Sequence, residues 1–438
     1  MHHYIIYFLI LFVLPHISQA QILKQGSLTV VENDTRPFID TLDYTKLTGQ
    51  EQKVGMALQD FSFQFFKKMY EMKYKERSFV MSPYSLRQLL SIVCNGTAGM
   101  TRKELCKLMN ITPNQIESLN TYNKKWDKML KRTGIKVALE STNSIWVQNR
   151  FPVFRTFVAD SRNYYNADVR AVNFSEKATA QAINNWCADH TNGLIPEIVE
   201  EKPMDYLLLM ANALYFNGWW ATTFEPGKTH KADFRNADGS ISKVDMMWNK
   251  EVYAQSFSDE DCDYLILPFN FELEDWNKKS GKYYTFSFVI CLPHEDSPLD
   301  EFVKKLDSRR WCEATIEKKK YVPFDVKLPR FETRLNMDVK SVMQQIAPLS
   351  LFKASGNYSL LSPNNDLRVS GIQQNAVVKV DEKGCEAAAV THSIMVGSDV
   401  PDRWPPKPIP FYVDRPFVFA IQENGSNTIL FLGAVKHL

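Results

Sequence analysis

Apolar positions along this chain change their period partway through. Val54, Leu58, Phe61, Phe65 and Met69 recur at the three- and four-residue spacing of one helix face, which predicts a first amphipathic helix with a core-facing stripe. Ser82 and Pro83 open a second helix through Leu89, Leu90 and Ile92, because serine caps free amides and proline is tolerated in a first turn. Gly99 to Leu108 reads as a short third helix after a turn. Later the pattern shortens. The segments 206–216, 264–268, 285–292, 322–328, 376–380 and 428–435 are short and rich in β-branched or aromatic residues, and are predicted strands. Helices early and strands late predict an α+β fold with large antiparallel sheets, not a doubly wound one. Residues 54–438 contain no repeat or linker and are expected to form a single domain.

The first residues follow a different rule. The apolar run from Tyr4 to Leu14 is too short to cross a bilayer and precedes Ser18-Gln19-Ala20, so residues 1–20 are predicted to be a secretory signal peptide, cut before Gln21. The polar stretch 21–53 has no period and is expected to be an exposed N-terminal arm. No later apolar run is long enough for a membrane span, so a secreted, extracellular product with no membrane partner is expected. Asn33, Asn95, Asn110, Asn173, Asn357 and Asn424 begin Asn-x-Ser/Thr triplets and are glycosylation candidates on that route.

Charge and cysteine usage narrow the function classes. The 52 Lys plus Arg and 50 Asp plus Glu leave a net charge of +2, which argues against nucleic acid as a partner, since phosphate binding needs a concentrated basic surface. Seven scattered cysteines in 438 residues do not form a disulfide framework, and without Cys-x-x-Cys a metal or dithiol site has no support. Buried packing is expected for most of them. Gly-x-Ser-x-Gly, Walker, His-Glu-x-x-His and dinucleotide fingerprints are all missing, and beyond the signal only His190, His230, His294, His392 and His437 remain. An enzyme is not expected.

One stretch stands out near the C terminus. From Asp381 to Thr391 the chain reads Asp-Glu-Lys-Gly-Cys-Glu-Ala-Ala-Ala-Val-Thr, after the strand-like 376–380 and before a long irregular segment. As a strand, one of its faces would carry Cys385, Ala387, Ala389, Thr391, Ser393 and Met395, small for the most part and free of charge. Such a face could enter a core without burying an unpaired charge, which costs several kcal/mol. The alternative is a short surface helix through the alanines.

This stretch is similar to the hinge of inhibitory serpins, and Phe411 to Ile421, with Asp414-Arg415-Pro416-Phe417, resembles the segment after their reactive loop. Ser82-Pro83-Tyr84-Ser85, Asn95 to Leu105, Ile183 to Trp186 with Thr191-Asn192-Gly193, Asn212 to Trp220 and Val326 to Phe331 resemble further family blocks in order. The resemblance covers about residues 54–437 and implies the serpin fold: three β-sheets, about nine helices and an exposed reactive-centre loop at about 382–411. It also implies a suicide substrate, in which a protease cuts the loop and the loop inserts into the central sheet.

Residue roles follow from the same resemblance. Glu382, Gly384, Cys385, Ala387, Ala388, Ala389 and Thr391 match the hinge, with Gly384 allowing the backbone turn and the alanines permitting insertion. Ser82, Ser85 and Asn212 match the shutter, whose hydrogen bonds hold the central strands until they part, and Trp220 matches the breach, where the loop first enters. Cys385 replaces the family's usual Thr or Ser, and Gln374 stands where many members have His. Counting on from Glu382 places the cut between Ser398 and Asp399, in an elastase-like context. Counting back from Pro416-Phe417 places it near Arg403-Trp404, which suits a trypsin-like enzyme. The expected partner is thus a serine protease of either kind, met by a monomer. A non-inhibitory carrier or chaperone of the same family is the alternative. Lys124, Lys128, Lys131 and Arg132 recur at helical spacing in a segment aligned with the heparin-binding helix of some serpins, either as a solvated face or as a glycosaminoglycan site; no other cofactor and no metal is expected.

Overall fold

A computed structural model describes residues 28, 30–31, 46–130, 137–270, 286–316, 322–364, 367, 369, 371–385 and 407–438. The expected signal peptide, most of the arm with Asn33, the basic residues Lys131 and Arg132, and both candidate cleavage sites lie outside these residues.

Nine α-helices occur among them: α1 (Gly49–Lys73), α2 (Pro83–Gly96), α3 (Gly99–Leu108), α4 (Ile116–Leu130), α5 (Arg155–Tyr165), α6 (Lys177–His190), α7 (Leu299–Lys305), α8 (Ser308–Ile316) and α9 (Lys340–Ile346). The first begins inside the stretch expected to be an exposed arm. The Thr48 Oγ1 accepts from Glu51 N at 3.3 Å, and Thr48 N donates to Glu51 Oε2 at 2.6 Å, a reciprocal cap that starts the helix before Val54. Glu51 then pairs with Lys125 of α4 at 2.8 Å, both side chains only 4% exposed, so Glu51 is folded inward while Thr48, Gln50, Gln52 and Lys53 stay exposed.

A large sheet runs β15 (Ile409–Tyr412), β11 (Val322–Pro329), β8 (Ile241–Ser258), β9 (Cys262–Pro268), β10 (Phe286–Pro293), β16 (Phe417–Glu423), β17 (Thr428–Val435) and β2 (Phe79–Met81), with β7 (His230–Arg235) added on β8. A second sheet runs β12 (Phe331–Asp338), β13 (Gln373–Val380), β14 (Gly384–Cys385), β6 (Leu208–Trp219), β3 (Val137–Gln148) and β5 (Ala167–Val172). A third joins only β1 (Val30–Val31) to β4 (Val153–Phe154). The α+β class, with three sheets and nine helices among the described residues, is therefore as expected.

The main core forms where α1 and α2 pack on the large sheet. Phe66 stacks on Phe79 with ring centroids 5.3 Å apart, and Phe288 stacks on Phe419 at 5.4 Å, aromatic contacts that add specificity to area burial. A smaller core of Trp146, Phe174, Ile183, Trp186 and Ala213 holds α6 against β3 and β6. All seven cysteines are free thiols and only Cys312 is partly exposed, as the packing expectation required.

Candidate functional site

In the second sheet, no described strand lies along the length between two of its long strands. β13 and β6 run in the same direction, yet among the described residues no pair links them directly. They are joined only at one end, through the two residues of β14: Val380 pairs with Cys385, and Cys385 with Gly218. Two strands that are each antiparallel to a third leave room for that third strand along their length.

A tight turn from Asp381 to Gly384 feeds β14. The Asp381 carboxylate accepts from Lys383 N at 2.9 Å and Gly384 N at 3.3 Å, and Asp381 N donates to the Gly384 carbonyl at 3.0 Å. Trp220 clamps the turn from β6: its Nε1 donates to the Asp381 carbonyl at 2.9 Å and its backbone N to the Lys383 carbonyl at 2.8 Å. The indole is itself held by stacking on Phe269 at 5.0 Å. Glu382 is buried and accepts from Thr229 Oγ1 at 2.6 Å and from the Arg330 guanidinium at 2.5 Å. Burial opposes its charge, but these two donors outweigh burial and hold the carboxyl below the usual glutamate range.

Gly384 serves a purpose other than the turn expected of it. A Cβ at this position would lie 1.9 Å from the Gly218 carbonyl oxygen, and Gly384 is not among the glycines with positive φ. Its role is close backbone approach, letting β14 pair with β6. Cys385 beside it is 2% exposed, and burial pushes its thiol well above the ordinary cysteine range, so it is neither paired nor ionised.

Among the described residues, Ser82, Ser85 and Asn212, the expected shutter residues, bond outside the β13–β6 pair. Asn212 Nδ2 donates to Asn143 Oδ1 at 3.0 Å and to the Thr142 carbonyl at 3.3 Å, tying β6 to β3 on the far side from β13. Ser82 Oγ donates to the Leu430 carbonyl at 2.7 Å and accepts from Ser85 N at 3.1 Å, which fixes the start of α2 to β17. Gln374 on β13 reaches α2 instead, with Nε2 donating to the Ser82 carbonyl at 2.8 Å. Two buried oxygens, Gln374 Oε1 and Asn212 Oδ1, have no donor among the described residues. Sequence reasoning missed Asn143, Arg330, Thr229 and Gly218; a polar run inside β3 was the one available signal for Asn143.

Other expected residues fall apart from this site. Ala387, Ala388, Ala389, Thr391, Ser398, Asp399, Arg403 and Trp404 lie outside the described residues. Lys124 is half-buried on α4 and stands 5.9 Å from the Tyr164 ring, while Lys128 is exposed. Asn95, one of the glycosylation candidates, donates from Nδ2 to the Ser91 carbonyl and Asn120 Oδ1, both at 2.9 Å, bonds that a sugar on that nitrogen would displace. Asn110 and Asn357 are exposed, and Asn173 and Asn424 are half-buried. No helix among the described residues is long and apolar enough to cross a membrane.

Comparison with known proteins places this geometry. The family profile described as "Serpin (serine protease inhibitor)" matches residues 56–438. The chain is similar to glia-derived nexin of Rattus norvegicus, 28% identical over 370 residues, covering 82% of this chain and 87% of that protein. It is also similar to neuroserpin of Homo sapiens, 28% identical over 375 residues with 83% and 87% covered. Among solved structures, the thermophilic serpin Tengpin in its native state superposes with a TM-score of 0.74 at 24% identity, covering 94% of this chain and all of the other.

Proposed function

This chain belongs to the serpin family, whose description names inhibitors of serine proteases and not enzymes, and on that premise we propose that it is a secreted suicide-substrate inhibitor. The observation that carries the reading is the place for one more strand between β13 and β6, with β14 already seated at its end.

The chemistry belongs to the protease. Its serine oxygen attacks the carbonyl carbon of Ser398 or Arg403, the peptide C–N bond breaks, and a new amino terminus leaves at Asp399 or Trp404. The acyl bond keeps the protease on the upstream stub. About fifteen residues from Gly384 onward, at ~3.3 Å each, would then carry it roughly 50 Å along the sheet. Distortion of the protease active site on arrival would leave the acyl bond unhydrolysed.

Register supports the fit. Each further loop residue would meet one earlier residue in both β13 and β6, so Thr391 would arrive level with Gln374 and Asn212. Those are the residues whose buried oxygens lack a donor among the described residues, and a threonine hydroxyl can supply one. Ala387 and Ala389 precede it on the same uncharged face. Separately, Lys124 and Lys128, with Lys131 and Arg132, would meet a glycosaminoglycan, which heparin-affinity chromatography tests.

Incubation of the secreted protein with trypsin-like and elastase-like proteases, read by denaturing gel and mass spectrometry, tests the proposal. A covalent complex resistant to SDS, with a released peptide starting at Asp399 or Trp404, is expected. Clean loop cleavage without complex by both proteases would overturn it and favour a carrier.

A further inference from the structure

Cys94 on α2 and Cys106 on α3 are twelve positions apart, and their sulfurs stand 3.7 Å from each other with both side chains fully buried. Hydrogen bonds at the corner between the two helices hold this approach. Arg102 of α3 reaches back to the end of α2, where its Nε donates to the Cys94 carbonyl at 3.2 Å and its Nη2 to the Asn95 carbonyl at 3.1 Å. Thr97 Oγ1 donates to the Cys94 carbonyl at 3.0 Å, and Ala98 N donates to the Asn357 carbonyl at 3.0 Å. No side chain caps α3 at Ala98, so its docking rests on these bonds and on the buried Leu105 and Leu108.

The other five cysteines are placed differently. Across β9 and β10, Cys262 stands opposite Pro293 and Cys291 opposite Tyr264, which makes the two cysteines diagonal neighbours. Diagonal positions of an antiparallel pair lie ~7–8 Å apart, beyond the usual reach of a disulfide. Cys187 lies on α6, Cys312 on α8 beside Gln59, and Cys385 on β14.

We propose that Cys94 and Cys106 are joined by a disulfide in the secreted protein, a cross-link that ties α3 to the end of α2. The step is an exchange with a disulfide carrier such as oxidised glutathione. A thiolate of the pair attacks one carrier sulfur, and the second cysteine then attacks the mixed disulfide. One S–S bond forms within the chain while the carrier's breaks, and the carrier leaves as two thiols with the two electrons and two protons that the cysteines lose. Exchange occurs while α3 is still undocked, since neither sulfur meets solvent once the helix has packed. A shift of roughly 1.7 Å then takes the sulfurs from contact to the ~2.05 Å bond. The chemistry needs an oxidising compartment, so the proposal rests on the secretion read above. Closing this short ring restricts the unfolded chain. It also braces the point at which α2 meets α4 and α5 through Asn95, Asn120 and Tyr165.

Peptide mapping of the full protein collected from culture medium tests the cross-link. The protein is denatured, alkylated without reductant and digested with trypsin, which cuts at Arg102 and Lys103 between the two cysteines. The peptides carrying Cys94 and Cys106 should appear joined and untagged, and should separate on reduction, while the other five cysteines carry the tag. The same chain refolded in glutathione buffer is mapped in the same way, so a failure of secretion is told apart from a failure of the bond. Its melting temperature should be several degrees higher after refolding with oxidised glutathione than with reductant alone. That gap should vanish in Cys94→Ser/Cys106→Ser. Tags on both Cys94 and Cys106 before reduction in either preparation, or a gap that persists in the double variant, would overturn the cross-link.

Discussion

The indole Nε1 of Trp220 donates to the backbone carbonyl of Asp381 at 2.9 Å, tying the last residues of β6 to the turn that follows β13. β13 and β6 are thus joined at one end by a side chain, with β14 between them. Trp220→Phe keeps the stack on Phe269 and removes only this bond, for a loss of about 1 kcal/mol. Amide exchange at Gly384 and Cys385 should quicken, while exchange along β6 and β3 stays slow. Equal quickening throughout the sheet would show that the bond supports the whole fold and not the turn.

Gly384→Ala should act through space and not through backbone freedom. The added Cβ cannot coexist with the Gly218 carbonyl 1.9 Å away, so β14 must withdraw from β6. Insertion should slow, and the gel ratio of covalent complex to cleaved inhibitor should fall several-fold, since slow insertion gives hydrolysis of the acyl bond time to win. An unchanged ratio would remove β14 from the insertion path.

Glu382 predicts a pH dependence of defined sign. Its folded-state carboxyl titrates below the unfolded value, so its contribution is complete above roughly pH 4.3 and is lost as pH falls through the depressed folded value. Melting temperatures of the parent and Glu382→Gln should differ most at neutral pH and converge as the solution becomes acidic. A gap that widened toward acid would contradict the assignment.

Lys125→Met should destabilise by about 3–5 kcal/mol, because it strands the buried Glu51 carboxylate. Burial opposes that charge, and the Lys125 ammonium and the Thr48 amide now hold the carboxyl below its usual range. Adding Glu51→Leu should restore much of the loss in denaturant unfolding. Heparin affinity of the single variant should not change, since Lys125 faces inward beside the exposed Lys128.

Thr391→Val should leave the uncut protein's melting temperature unchanged and lower that of the loop-cleaved form, where the hydroxyl would otherwise meet Gln374 or Asn212. Thr391→Ser should behave as the parent. The comparison needs only differential scanning calorimetry before and after limited proteolysis.

Local patterns made much of the helical layer legible and little of the central sheet. Val54, Leu58, Phe61, Phe65 and Met69 are all fully buried on α1, and β17 ends at the residues its composition suggested, Thr428 and Val435. β3 escaped because its middle reads Glu140-Ser141-Thr142-Asn143-Ser144, polar residues that are tolerated in a central strand when Asn143 is satisfied by Tyr165 and Asn212. The start of α1 escaped because the partner of Glu51 lies on another helix. Gly384 was found as a hinge glycine, but the carbonyl that demands it belongs to Gly218, far away in sequence. Resemblance located the site; only tertiary contacts explained its residues.

Cys385 gives the molecule a built-in reporter. Its thiol is buried where β14 is clasped, while Cys312 is the half-exposed thiol of the seven. An alkylating reagent therefore labels Cys312 as an internal standard and Cys385 only when the clasp opens, so the labelling ratio is a stopwatch for the hinge. The rate at which β14 leaves its neighbours can be timed by chemistry on the protein's own side chains, with no protease present.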